Sequence, residues 1–172
     1  MRLNHYIFTE KLTPNLEKTS KHINIIYNNN FEDKDKFINF LNLIYYCKKK
    51  KIPIYVLNNI KIAIKYKLNG IFLTSDNKRF NLTPFIKKKF KIIGSCHNQM
   101  EFFTKYNQGC KEVTLSPFFF NIKHSKTKIL GPIKFNLISQ NWKTKICALG
   151  GINEKNLRRI KLTKSRSVGY KI

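Results

Sequence analysis

No apolar run in this chain approaches the roughly 18–20 residues that a helix needs to cross a bilayer, which excludes a membrane-spanning segment. Cysteine is sparse: Cys47, Cys96, Cys110 and Cys147 form no CxxC pair and have no histidine at metal-like spacing. That pattern argues against a zinc site, and with no secretory leader ahead of it, against a disulfide framework as well. The expectation is reduced thiols in a cytoplasmic protein. Acids are scarce too, with nine Asp and Glu against 34 Lys and Arg, a formal net charge of +25.

An excess of cations invites a nucleic-acid reading, because Lys and Arg that neutralise phosphates dominate such affinities. The lysines, however, are spread through nearly every segment. The aromatics sit inside apolar runs such as Phe118-Phe119-Phe120 instead of alternating with basic residues. Heavy use of Lys, Asn and Ile fits an AT-biased coding sequence, so nucleic acid is not the expected partner, whereas anionic small ligands are. Apolar residues make up 42% of the 172 residues, enough for one compact domain over 1–172.

Short apolar runs rich in β-branched residues alternate with longer segments of helical period, the pattern of βα units around a parallel sheet. Strands are expected at Tyr6 to Phe8, Ile23 to Tyr27, Ile54 to Leu57, Gly70 to Leu73, Lys91 to Gly94, Glu112 to Leu115, Ile146 to Leu149 and Ser167 to Tyr170. Each is almost uniformly apolar, as parallel strands buried on both faces are. Between them, Asp35 to Lys49 is read as a helix with Phe37, Leu41, Ile44 and Tyr45 on its buried face. Further helices are expected at Ile60 to Tyr66, Thr83 to Lys88, Gln99 to Asn107, Phe135 to Ser139 and Glu154 to Ile160, the last capped by Asn153. Eight such units make a small α/β chain of the TIM-type (β/α)8 barrel class, well under the roughly 250 residues usual for one. The sequence stops at Ile172, straight after the eighth strand. The expected barrel therefore lacks its final helix, and a second subunit in a homo-oligomer is one way to cover that strand; a truncated reading frame is another explanation.

In such a barrel the chemistry belongs to the strand C-terminal ends. After the seventh strand, Gly150-Gly151 lets a phosphate approach backbone N–H groups at a helix start, although a Gly-Gly pair also suits a plain tight turn. Ala148-Leu149-Gly150-Gly151-Ile152 resembles the A-I-G-G-I segment of the thiamine-phosphate synthase/TenI family. Ile93-Gly94-Ser95-Cys96-His97 with Glu101 resembles its I-G-x-S-x-H-x-x-x-E segment. Gly70-Ile71-Phe72-Leu73, Ser116-Pro117-Phe118-Phe119, Asn58 and Tyr6-Ile7-Phe8-Thr9 resemble other family positions in the same order.

The resemblance implies a phosphorylated small-molecule substrate and one of two reactions. Synthases join a pyrimidine-methyl diphosphate to a thiazole phosphate with magnesium, whereas the TenI-like branch includes thiazole phosphate tautomerases. The Q-x-R-x-K whose cations grip the diphosphate falls on Ile26, Asn28 and Asn30 here, and a neutral Asn cannot replace those charges. The acid expected after Asn58 is Asn59, and the next is displaced to Asp76, a weak lone anchor for Mg2+. Tautomerisation needs only a proton removed at one atom and delivered at another. The family match gives His97 that role, with Ser95 beside it, and Gly150, Gly151, Asn58, Asn121 and Lys123 (or Lys126) as substrate or phosphate contacts. The alternative is a non-catalytic phosphate-binding or interaction protein on a degraded barrel.

Overall fold

A computed structural model of the chain describes residues 3–17, 22–28, 31, 33–79, 90–120 and 129–171. Eight strands run β1 (Asn4–Thr9), β2 (Ile23–Tyr27), β3 (Ile54–Leu57), β4 (Gly70–Leu73), β5 (Lys91–Cys96), β6 (Glu112–Leu115), β7 (Lys145–Leu149) and β8 (Ser167–Lys171). Helices α1 (Pro14–Glu17), α2 (Lys34–Lys49), α3 (Ile60–Lys65), α4 (Gln99–Asn107) and α5 (Gly131–Ser139) alternate with them, and a 3-10 helix spans Leu157–Leu162. Each strand pairs in parallel with the next, and β8 pairs with β1, closing a TIM-type barrel. The expected helix at Thr83 to Lys88 lies outside the described residues. No described helix is long and apolar enough to cross a membrane.

Alternation along each strand divides the apolar residues between two cores. Tyr6, Phe8, Ile26, Tyr55, Phe72, Ile93 and Cys147 form the inner one. Phe8 of β1 meets Phe72 of β4 edge to face at 5.1 Å, a contact that must cross the lumen because those strands are not neighbours. Residues of opposite parity, such as Ile7, Ile25, Val56, Ile71 and Val113, join the outer core with the helices. The outer surface of β8 is partly covered by the chain itself: Val168 is fully buried in the same cluster as Leu16 and Ile160, and Tyr170 packs against it.

Two sequence expectations need correction. In α2 the buried residues are Phe40, Leu43, Ile44 and Cys47, while Tyr45 is 71% exposed and Leu41 is also exposed. The inward stripe follows the i, i+3, i+4, i+7 rule from Phe40; apolar residues on the opposite side of the helix obscured it in the sequence. The last helical segment is a 3-10 turn that starts at Leu157, with Asn156 and not Asn153 at its N-cap. Asn153 and Asn156 exchange side-chain-to-backbone bonds of 2.9 and 3.2 Å, closing a local turn that postpones helix. Smaller differences are the short α1, which carries no sequence signal, and α5, which begins at Gly131 with Pro132 in its first turn.

A polar plug fills the lumen near the strand N-termini. Glu112, 2% exposed, accepts from Tyr6 Oη at 2.8 Å and Lys91 Nζ at 2.6 Å, and from the Ser167 hydroxyl. Lys91 also donates to Tyr6 Oη at 2.7 Å. Burial, then the Glu112 charge, push the Tyr6 hydroxyl far above its usual range, so it stays a donor. At the other end the loops after β6 and β7 are laced together: Phe118 N–H donates to Leu149 O at 2.8 Å and Phe119 N–H to Gly150 O at 2.9 Å. Gly151 (φ +67°) lies under that seam, where an added Cβ would sit 2.4 Å from Phe120 O.

Glu112→Gln strips the plug of its charge and leaves the Lys91 ammonium without a counter-ion; a stability loss of about 2–4 kcal/mol is expected from urea unfolding. Gly151→Ala should destabilise more than Gly109→Ala. Both glycines have positive φ, but a Cβ at Gly109 (φ +80°) meets nothing within 4 Å. The same unfolding assay should give about 1–2 kcal/mol for Gly109→Ala from backbone strain alone, and about 3 kcal/mol or more for Gly151→Ala, which adds a backbone clash.

Candidate functional site

The C-terminal end of β5 carries Ser95, Cys96 and His97. Ser95 shares the parity of Ile93 and therefore faces the lumen, 8% exposed; His97, two residues on, stands at the exposed rim above it. Two features hold His97. Its backbone N–H donates to Glu101 Oε2 at 2.8 Å, while Glu101 and Asn98 form a reciprocal cap at the start of α4, with Asn98 Nδ2 to Glu101 Oε1 at 3.0 Å and Glu101 N–H to Asn98 Oδ1 at 2.9 Å. Its ring Nδ1 lies 2.9 Å from the Ser116 carbonyl and 3.1 Å from the Ser116 hydroxyl, at the end of β6. A carbonyl can only accept, so the neutral ring carries its proton on Nδ1 and its basic lone pair on Nε2. The Glu101 of the sequence motif is thus a structural support that fixes the backbone of His97.

A second cluster joins the ends of β3 and β4. Asn58, in a left-handed conformation (φ +48°), donates through Nδ2 to Thr74 Oγ1 at 2.7 Å. Its Oδ1 accepts from Thr74 N–H and from Asn77 Nδ2, both at 3.1 Å. Thr74 also hydrogen-bonds to Asp76, and this bond, reinforced by the backbone of Asp76, holds the carboxyl below its usual range. Asn58 and Asp76, picked out separately in the sequence, therefore belong to one network. Behind it, the fully buried Lys105 of α4 donates from Nζ to Asn77 O at 2.6 Å and to Gln108 Oε1 at 3.0 Å, while Gln108 Nε2 reaches Asn77 O and Arg79 O, each at 2.9 Å. Desolvation lowers the Lys105 pKa.

Sequence reasoning missed Ser116, Thr74, Asn77, Lys105 and Gln108. A signal existed for the last two: a Lys and a Gln at i, i+3 on the inward stripe of an amphipathic helix have to find buried partners.

Gly150 and Gly151 close the third part of the mouth. The next helix starts only at Leu157, and Asn156 Nδ2 donates to Gly151 O at 2.8 Å, so a tied turn follows the glycines where a helix N-terminus was expected. The N–H groups of Gly151 and Ile152 donate to no described residue. Asn121, Lys123 and Lys126 lie outside the described residues. Ile26 is buried in the lumen and Asn28 is half-buried at the end of β2, so neither brings a cation.

The described residues of the mouth do not make a Mg2+ site. Among the described residues no group of three His, Cys, Asp or Glu side chains could hold a metal ion. Of the carboxylates in the two clusters, that of Asp76 is engaged by Thr74 and that of Glu101 by His97 and Asn98. In these two clusters octahedral Mg2+ would find one partly occupied protein ligand.

Comparison with known proteins gives a consistent result. Over 130 residues, 75% of its length, the chain is 26% identical to a thiamine-phosphate synthase of Prochlorococcus marinus subsp. pastoris and 24% identical to one of Prochlorococcus marinus strain AS9601; it spans 37% of the length of either relative. Its fold is similar to that of a thiamine phosphate pyrophosphorylase from Pyrococcus furiosus, with a TM-score of 0.75 at 16% identity over 98% of this chain and 85% of the other. The profile of the thiamine monophosphate synthase family matches residues 16–169, nearly the whole barrel. The chain belongs to that family, which carries the name TMP-TENI.

Proposed function

We propose that the barrel mouth binds a thiazole phosphate or thiamine phosphate and that His97 moves the proton in tautomerisation of the thiazole phosphate, in the cytoplasm, where the four buried free thiols stay reduced. The observation that carries this reading is the fixing of His97 at the rim of the lumen. Glu101 holds its backbone and Ser116 holds its ring, which fixes the tautomer whose basic lone pair is on Nε2. Ser95, in the lumen beneath, supplies a hydroxyl for hydrogen bonding to the ligand. The N–H groups of Gly151 and Ile152 are available to phosphate oxygens, and the net charge of +25 favours an anion.

Condensation of a pyrimidine-methyl diphosphate is the weaker reading for this chain. Departure of a diphosphate calls for cations or a metal where the charge develops. Ile26 and Asn28 supply no cation, and the described residues hold no group of three acidic, His or Cys side chains for Mg2+. Asn58, Thr74 and Asn77 are suited to neutral hydrogen bonds with the heterocycle.

Thermal unfolding with saturating thiazole phosphate or thiamine phosphate should show a rise of about 5 °C, since a ligand that binds only the folded state stabilises it by mass action. Magnesium pyrophosphate should produce no comparable shift. No shift with either phosphate, in a folded protein, would reject the binding reading. His97→Ala should lower tautomerase turnover about 10²–10⁴-fold while the thermal response to thiazole phosphate persists; unchanged turnover would remove His97 from the chemistry. Binding without turnover in the unaltered protein would favour a non-catalytic phosphate binder.

A further inference from the structure

Cations occur at both ends of the barrel, but the described loops that lead into strands carry them without the acids that accompany them at the mouth. Six of the described segments that lead into strands from the end opposite the mouth are 50–53, 66–69, 90, 108–111, 140–144 and 163–166. None contains an Asp or Glu. Each brings a cation at or just before its strand, and Lys51, Lys67, Lys111, Lys145, Lys164 and Arg166 are all exposed. Of the acids at this end, Glu112 is buried and paired with Lys91, and Glu17 is the last residue of α1. The acids lie at the other end: Glu10, Asp33, Asp76 and Glu154 follow strands, and Asp35 and Glu101 stand in the first turns of α2 and α4. Alternating βα units separate the charges because the loops before strands and the loops after them lie at opposite ends of the barrel.

We propose that this N-terminal face of the barrel is a sequence-independent docking surface for the phosphate backbone of a nucleic-acid duplex. The composition of the face selects among polyanions. Stable protein interfaces are depleted in Lys and have an apolar core, but here the aromatic residues of the loops, Tyr66, Phe90 and Trp142, pack inward against the hydrophobic core. An anionic membrane surface would be gripped by inserted apolar side chains as well as by charge, and single strands by exposed aromatic platforms. The exposed apolar side chains nearest this end, Tyr106, Leu137 and Leu162, stand on helices, while the described loops present lysines, which match phosphates spaced along a double helix, whose binding rests on counter-ion release. This inference is independent of the chemistry at the mouth.

The test uses the full chain and a fluorescent 20-base-pair duplex of arbitrary sequence. Four phosphate contacts would weaken binding about 100-fold between about 50 and about 200 mM salt. Lys67→Glu/Lys111→Glu/Lys145→Glu should weaken it by about tenfold or more, with the thermal midpoint retained. Lys11→Glu/Lys34→Glu/Lys155→Glu, the same charge change at the opposite end, should weaken it less than about threefold. If a reversed variant fails to fold, the corresponding Lys→Gln triple takes its place, with a smaller difference of the same sign. Equal loss from both triples would overturn the proposal, because net charge alone would then account for binding. A flat salt response would also overturn it, as would tighter competition by poly-glutamate of matched charge, which would point to an acidic protein.

Discussion

One buried carboxylate organises the inside of this barrel. Glu112 lies in the lumen and takes hydrogen bonds from β1, β5 and β8 through Tyr6, Lys91 and Ser167. An eight-stranded barrel has room in its interior for side chains and little else, so each inward position must be filled, and each inward polar group must be satisfied by another strand. Glu112 meets that constraint at the N-terminal end, and the Phe8–Phe72 layer meets it with hydrocarbon above. With the lower lumen occupied, Ser95 and the side chains at the rim are what a ligand entering from the mouth would meet.

The sequence made the strands readable because parallel strands buried on both sides are written as continuous apolar runs, and all eight appear at their expected positions to within about two residues. Helix faces were harder. Apolar residues surround much of α2, so the choice between Phe37, Leu41, Ile44 and Tyr45 and the observed Phe40, Leu43, Ile44 and Cys47 depended on a rotation of about one residue, which only tertiary packing resolves. The turn before the 3-10 helix went unrecognised because two asparagines three residues apart can cap a helix or bond to each other.

The site was legible as residue types and obscure as connections. His97, Ser95 and the two glycines could be singled out by their places at strand ends. That Ser116 would fix the tautomer of His97, or that Asn58 and Asp76 would meet through Thr74, depends on the register between neighbouring strands. The Lys91–Glu112 pair is hidden for the same reason: β5 and β6 are neighbours, but the two residues belong to adjacent runs whose polar first positions look like ordinary strand boundaries. Charge was the most misleading feature, since lysines occur every few residues along the chain, and the two ends differ because most of the described acids fall on the loops and first helical turns after strands.

Helix α4 touches both halves of the mouth. Its first turn holds the backbone of His97 through Glu101, and its third turn, through Lys105 and Gln108, grips the carbonyl of Asn77, whose side chain in turn reaches Asn58. The two clusters are thus mounted on a common rigid rod, like two jaws on one lever. A tilt of that helix by a fraction of an ångström would shift the imidazole and the amide cluster in concert, so their spacing is a mechanical property of α4 rather than of either loop.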